Sequence, residues 1–187
     1  MYISDMKYES EKTMKCEDRS FSGLIDYLKK TFLYPEIRAL CLFRKAQKKC
    51  KSKNPITKYF WSFIWLKARR QGYQISLDAK IGRGLCLLHD GVRIIVSAAE
   101  IGENCTIGVN CVIGYGYKEG YLAPKIGDRV YIGHNSSIVG GITVGDDVLI
   151  APGAFVNRDV PSNSIVIGNN EIKPKNRASE PYLKIGP

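Results

Sequence analysis

Histidine is scarce in this chain, with two in 187 residues, and the six cysteines form no Cys-x-x-Cys pair. Without His/Cys clusters or grouped carboxylates there is no pattern for a metal site, and none is expected. No apolar run is long enough to span a bilayer. The first twenty residues are polar and of mixed charge, which is unlike a cleavable secretory leader. A cytoplasmic protein with free thiols is therefore expected, and in that compartment the sequons Asn104-Cys105-Thr106 and Asn135-Ser136-Ser137 carry no glycan. Acidic residues are also few, 18 against 28 basic, and the net charge of +10 is local. Residues 21–73 hold 13 basic and 2 acidic side chains, whereas 74–168 hold 7 and 9. No nucleic-acid-binding motif accompanies the basic stretch, so nucleic acid is not an expected partner.

What the chain does have is a ladder of period six: Ile126, Ile132, Ile138, Val144, Ile150 and Val156. Four residues after each comes a smaller or branched one: Val130, Ser136, Ile142, Val148, Ala154 and Val160. Six is neither the helical period nor a strand alternation. One large and one small inward residue per hexad suit a parallel β-helix, with each hexad forming one side of a prism. Upstream the ladder is less regular. It runs through Ile75, Ile81 and Leu87, steps by eight to Ile95, and continues at Ile101, Ile107 and Ile113 before a step of thirteen to Ile126. Cys105 and Cys111 fall in the small inward slot, where packing accounts for them.

The expected organisation is a helical N-terminal segment over 1–73, the β-helix over 74–168 and a basic tail over 169–187. A short helix is expected over Ser22–Leu33, and a second from Pro35 with Ile37, Leu40 and Cys41 on one side. A third has Asn54 as cap and Pro55 at its first position. This last helix, 55–71, is dense in aromatics and flanked by Lys and Arg. It either lies on a membrane surface or covers the open end of the prism.

Both histidines sit two residues after a ladder position, His89 after Leu87 and His134 after Ile132. With the long step looped out, they share one prism face two coils apart, a rise of about 10 Å at roughly 4.8 Å per strand. The looped residues include Tyr115, Tyr117, Lys118 and Tyr121, suited to stacking on a sugar or a pantetheine arm; the other reading is a solvated excursion.

Ile81-Gly82-Arg83-Gly84-Leu85-Cys86-Leu87-Leu88-His89, Ile101-Gly102-Glu103-Asn104 and Pro124 through Gly133 resemble the hexapeptide-repeat acyltransferases, as does Ala151 through Gly168. The similarity covers about Gln74–Gly168. It is greatest to serine O-acetyltransferases and their shorter relatives in capsular-polysaccharide gene clusters. The resemblance implies a mainly β fold, a left-handed parallel β-helix, assembled as a homotrimer with acetyl-CoA as co-substrate between subunits. It places the catalytic histidine at His89. It places CoA contacts at Gly133, His134, Asn135, Ala151, Pro152 and Lys173. The serine enzymes' supporting aspartate falls at Gln74 here, and their second histidine at Ala123.

Acyl transfer from a thioester to a hydroxyl needs a base that works near neutrality, which suits His89, with Asp90 the nearest side chain to orient its ring. The expected function is an acetyl-CoA-dependent O-acetyltransferase acting on a saccharide, polymeric or nucleotide- or lipid-linked. Serine is the alternative acceptor, and a non-catalytic hexapeptide scaffold is the alternative of another class.

Overall fold

The branched aliphatics at period six can all be buried only if the chain turns after every hexad, and the three sides so formed are visible as three parallel sheets. The computed structural model describes residues 35–69, 72–88, 93–116 and 122–182. One side stacks β1 (Tyr73–Ile75), β4 (Ile94–Val96), β7 (Val112–Gly114), β10 (Ser137–Val139) and β13 (Phe155–Val156). The next stacks β2 (Lys80–Ile81), β5 (Glu100–Ile101), β8 (Lys125–Ile126) and β11 (Thr143–Val144). The last stacks β3 (Cys86–Leu87), β6 (Thr106–Ile107), β9 (Tyr131–Ile132), β12 (Leu149–Ile150) and β14 (Ser164–Ile167). The fold is a parallel β-helix, with two helices ahead of its strands among the described residues.

Both slots of the hexad face inward. The six ladder residues from Ile126 to Val156 and the second-slot residues Val130, Ser136, Ile142, Val148, Ala154 and Val160 are all buried. Ser136 is tolerated there because its hydroxyl donates to backbone carbonyls, and the buried Cys111 likewise has its thiol 3.0 Å from the Gly133 carbonyl. Burial raises the Cys111 thiol pKa, which keeps it a packing group.

One register differs from expectation. Val96, not Ile95, pairs with Ile113 and lies in the ladder; Ile94 and Val96 are buried while Ile95 faces outward. Three branched residues in succession hide which parity faces in, and a one-residue slip exchanges the faces. The corners follow a rule of their own. The third residue after a ladder position takes a left-handed backbone at Gly84, Asn104, Asn110, Arg129, Asn135, Asp147 and Gly153. Asn, Asp and Gly tolerate that conformation, whereas Arg129 is held in it.

Arg129 is held partly by its neighbour on the next coil, donating from Nε and Nη2 to Asp147 at 2.8 and 2.7 Å. That hydrogen bond lowers the Asp147 carboxyl pKa below its ordinary value. A lowered carboxylate contributes stability above its unfolded pKa and loses it as pH falls through the folded value. Asp147→Asn is therefore expected to melt up to a few degrees below the parent at neutral pH, a partly exposed pair being worth under about 1 kcal/mol. The two melting curves converge in acid, below the folded pKa.

At the N-terminal end the prism would expose unpaired strand edges. Helices α1 (Pro35–Lys49) and α2 (Pro55–Arg69) cover them. Asn54 caps α2 as expected, its Oδ1 accepting from the Ile56 N–H at 2.9 Å. The buried Trp65 donates from Nε1 to the Ile75 carbonyl at 3.1 Å and packs on Phe43 with ring centroids 5.5 Å apart. Gln47 donates to the carbonyls of Leu77 and Ala79, and Arg44 to those of Ile81 and Gly82. Five first-coil carbonyls are thus satisfied by three helical side chains. The face of α1 that packs inward is carried by Ala39, Phe43 and Ala46, with Cys41 also buried and Leu40 only partly so. The helix expected at Ser22–Leu33 lies outside the described residues.

The C-terminal residues are built onto the prism. β15 (Glu171–Pro174) pairs antiparallel with β14, and beyond it Ala178 packs on Tyr131 and Leu149 while Tyr182 lies against Tyr131, ring centroids 5.2 Å apart.

Candidate functional site

His89 and Asp90 lie outside the described residues, as do Tyr117, Lys118 and Tyr121. The approach to His89 is fixed. β3 pairs through β6 with β9, placing Leu87, Ile107 and Ile132 in one register, and Leu88 donates to the Ile107 carbonyl at 3.0 Å. The strands that lead into the two histidines therefore share one sheet, two rungs apart. His134 follows the last of these strands, just ahead of the left-handed corner at Asn135 that leads from the third side of the prism to the first.

At that corner, Gly133, His134, Asn135, Ala151 and Pro152 come together on adjacent coils. Gly133 is needed for close approach: a Cβ there would lie 2.5 Å from the Pro152 nitrogen and 2.8 Å from the Ala151 carbonyl carbon. Gly153 donates to the His134 carbonyl at 2.8 Å, joining the same two coils. The His134 ring looks the other way along the stack, its Nδ1 accepting from the Val109 N–H at 3.0 Å. Asn135 accepts at Oδ1 from Asn110 at 2.8 Å. Together they form a ridge of backbone and small polar groups, with Asn135 and Pro152 exposed along it. Lys173 is not brought to the ridge. It stands on β15 opposite Ile165, set back by the antiparallel register, with its ammonium 2.8 Å from Glu171.

Tyr115 follows β7 and lines an open cavity of about 500 Å³ between α2 and the first side of the prism. The cavity's polar lining is Ser62, Gln74, Ser76, Ser97 and Tyr115, with Trp65 among its apolar walls and no charged side chain. Ser62, Ser76 and Ser97 are absent from the sequence expectations. The outward place of Gln74 was legible from its position between buried Tyr73 and Ile75. What no pattern announces is that α2 lies over that face. A second groove, of about 570 Å³, follows the second side past Lys80, Glu100, Lys125 and Asp146. There the Lys80 ammonium, hydrogen-bonded at 2.5 Å, lowers the Glu100 carboxyl pKa. Among the described residues no His, Cys, Asp and Glu side chains gather as a metal-binding group, and no helix is long and apolar enough to cross a membrane.

Two family descriptions match the strands: bacterial transferase hexapeptide (six repeats) over residues 123–158, and hexapeptide repeat of succinyl-transferase over 99–116. The chain is 33% identical over 168 residues to a serine acetyltransferase of Helicobacter pylori, covering 88% of this chain and 94% of that one. Among solved structures it resembles the serine acetyltransferase of Neisseria gonorrhoeae, with a TM-score of 0.70 and 28% identity over 95% of this chain, though it spans only 64% of that one. A Brucella abortus serine acetyltransferase in complex with coenzyme A aligns with a TM-score of 0.72 and 25% identity, over 94% of this chain and 67% of that one.

Proposed function

We propose a function from one premise: the chain belongs to the hexapeptide-repeat acyltransferases, among the homologues of serine acetyltransferase. It is an acyltransferase, and we take its reaction to be acetyl transfer from acetyl-CoA to the hydroxyl of serine. The observation that carries this is the Helicobacter relative, aligned over 94% of its own length. A chain of comparable length thus bears the serine acetyltransferase name, so a short helical segment is no argument against serine. Serine therefore takes precedence over the saccharide acceptor expected from the sequence.

In this reading the serine oxygen attacks the thioester carbonyl carbon as the His89 imidazole takes its proton. Backbone N–H groups stabilise the tetrahedral oxyanion. Collapse breaks the C–S bond, and the departing thiolate recovers the proton from the imidazolium, leaving O-acetylserine and free CoA. Asp90 would orient the ring. The ridge from Gly133 to Pro152 would carry the pantetheine arm, and the Tyr115–Tyr121 loop would close over it. The active unit is taken as a cytoplasmic homotrimer with sites between subunits, which light scattering tests directly.

One observation favours a second reading, a saccharide hydroxyl of the capsular kind. Free serine is a zwitterion, and charged partners are the usual means of holding it. The cavity beside Tyr115 offers an amide and hydroxyls instead, with Gln74 where the resemblance places an aspartate. Thiol release from acetyl-CoA, measured with serine and separately with nucleotide-sugar and oligosaccharide acceptors, decides between them. Turnover with serine at least tenfold above each sugar is the expected result. The reverse order replaces the serine reading with the saccharide one, and no turnover with any acceptor returns the chain to a scaffold.

A further inference from the structure

We propose that α2 is an interfacial helix that docks the protein on an anionic lipid surface, a property separate from the choice of acceptor. Helix α2 has two apolar faces where a capping helix needs one. The inner face holds the buried Trp65, with Trp61 packed against the core. The outer face presents Ile56, Tyr59, Phe60 and Phe63, exposed by 78, 74, 58 and 66%, whereas Leu66 lines the cavity beside Tyr115. Their spacing of three and four residues makes one continuous stripe along the helix.

The stripe is set in a field of one sign. Residues 37–77 contain no Asp or Glu. Lys51, Lys53, Lys58 and Lys67 are exposed around α2, and Lys45, Lys48 and Lys49 are exposed on the neighbouring end of α1. Fifteen residues give α2 a length of about 22 Å, too short to cross a bilayer but suited to lying in its surface. Aromatic rings at headgroup depth with lysine ammoniums reaching the phosphates form the usual interfacial arrangement.

Charge decides among occupants. A second copy docked stripe to stripe would bring the same lysines face to face, which like-charge repulsion opposes. A nucleic acid would meet the lysines but leave Ile56 and Phe63 in water, where a lipid surface satisfies both features.

The test is cosedimentation of the full chain with vesicles of phosphatidylcholine alone and of phosphatidylcholine with phosphatidylglycerol. Binding is expected only to the anionic vesicles and is expected to weaken as salt rises. Lys58→Glu with Lys67→Glu should reduce partitioning about tenfold or more. Phe60→Ser with Phe63→Ser should reduce it comparably, and both pairs should leave the melting temperature unchanged because these side chains lie outside the core. Absence of binding overturns the proposal, as does binding that neither pair of changes alters. A lower melting temperature or a changed sedimentation coefficient in Phe60→Ser/Phe63→Ser also overturns it, because the stripe would then be covered by protein.

Discussion

His89→Ala is expected to lower kcat for acetyl transfer by about 10²–10⁴-fold, the usual contribution of a positioned general base, while KM for acetyl-CoA and the melting temperature stay near the parent values. The expectation rests on chemical need. A serine or sugar hydroxyl is a poor nucleophile until its proton is taken, and with two histidines in the chain the choice of imidazole lies between His89 and His134. Of the two, the described residues include His134. His134 uses Nδ1 to accept from the Val109 N–H and so helps tie one coil to the next. His134→Ala should therefore cost about 1 kcal/mol of stability, the usual worth of a hydrogen bond, and change kcat only a few-fold. The paired measurement is what gives the test its force, since loss of activity in both variants without loss of stability in either would remove the distinction. If His89→Ala retains full turnover, the base is elsewhere and the proposed mechanism fails.

The prism was legible in the sequence because period six fits no other common element, and every ladder residue from Ile126 to Val156 is buried. Upstream the pattern was ambiguous for a physical reason. In Ile94-Ile95-Val96 hydrophobicity is the same on both parities, and only pairing with Val112 and Ile113 settles which side chain faces in. The left-handed residues three places after a ladder position mark the corners that follow the second and third sides, but the first side has no such marker, since Ser97-Ala98-Ala99 follows Val96, and the register there stays ambiguous in sequence. The two readings of the aromatic helix, end cap or lipid contact, looked exclusive in sequence because periodicity was read as one face. In three dimensions Trp65 serves the cap while Phe60 and Phe63 point away from it. The cavity was the least legible part, since Ser62 and Gln74 become neighbours only through the packing of α2 on the first coils.

That packing makes Trp65→Ala the stability change with the largest expected effect. Trp65 is 3% exposed, its ring packs at a tilt against a fully buried Phe43, and it is the donor to the Ile75 carbonyl at the open end of the prism. Removing a buried aromatic of this size costs about 3–5 kcal/mol, which for a chain of this length corresponds to about 6–20 °C in melting temperature. The loss should exceed that of a comparable deletion further along, because β1 has a neighbouring strand on one side only, β4, and relies on the helices for the other. Trp65→Phe separates the two contributions. It keeps most of the ring packing and removes the N–H, so its cost should be nearer the 1–3 kcal/mol of an unsatisfied buried acceptor. Because Trp65 and Ser62 both line the cavity beside Tyr115, the alanine variant should also raise KM for the acceptor more than KM for acetyl-CoA. A melting temperature within about 2 °C of the parent would mean that the first coil stands without its cap. An equal rise in both KM values would mean that the cavity does not hold the acceptor.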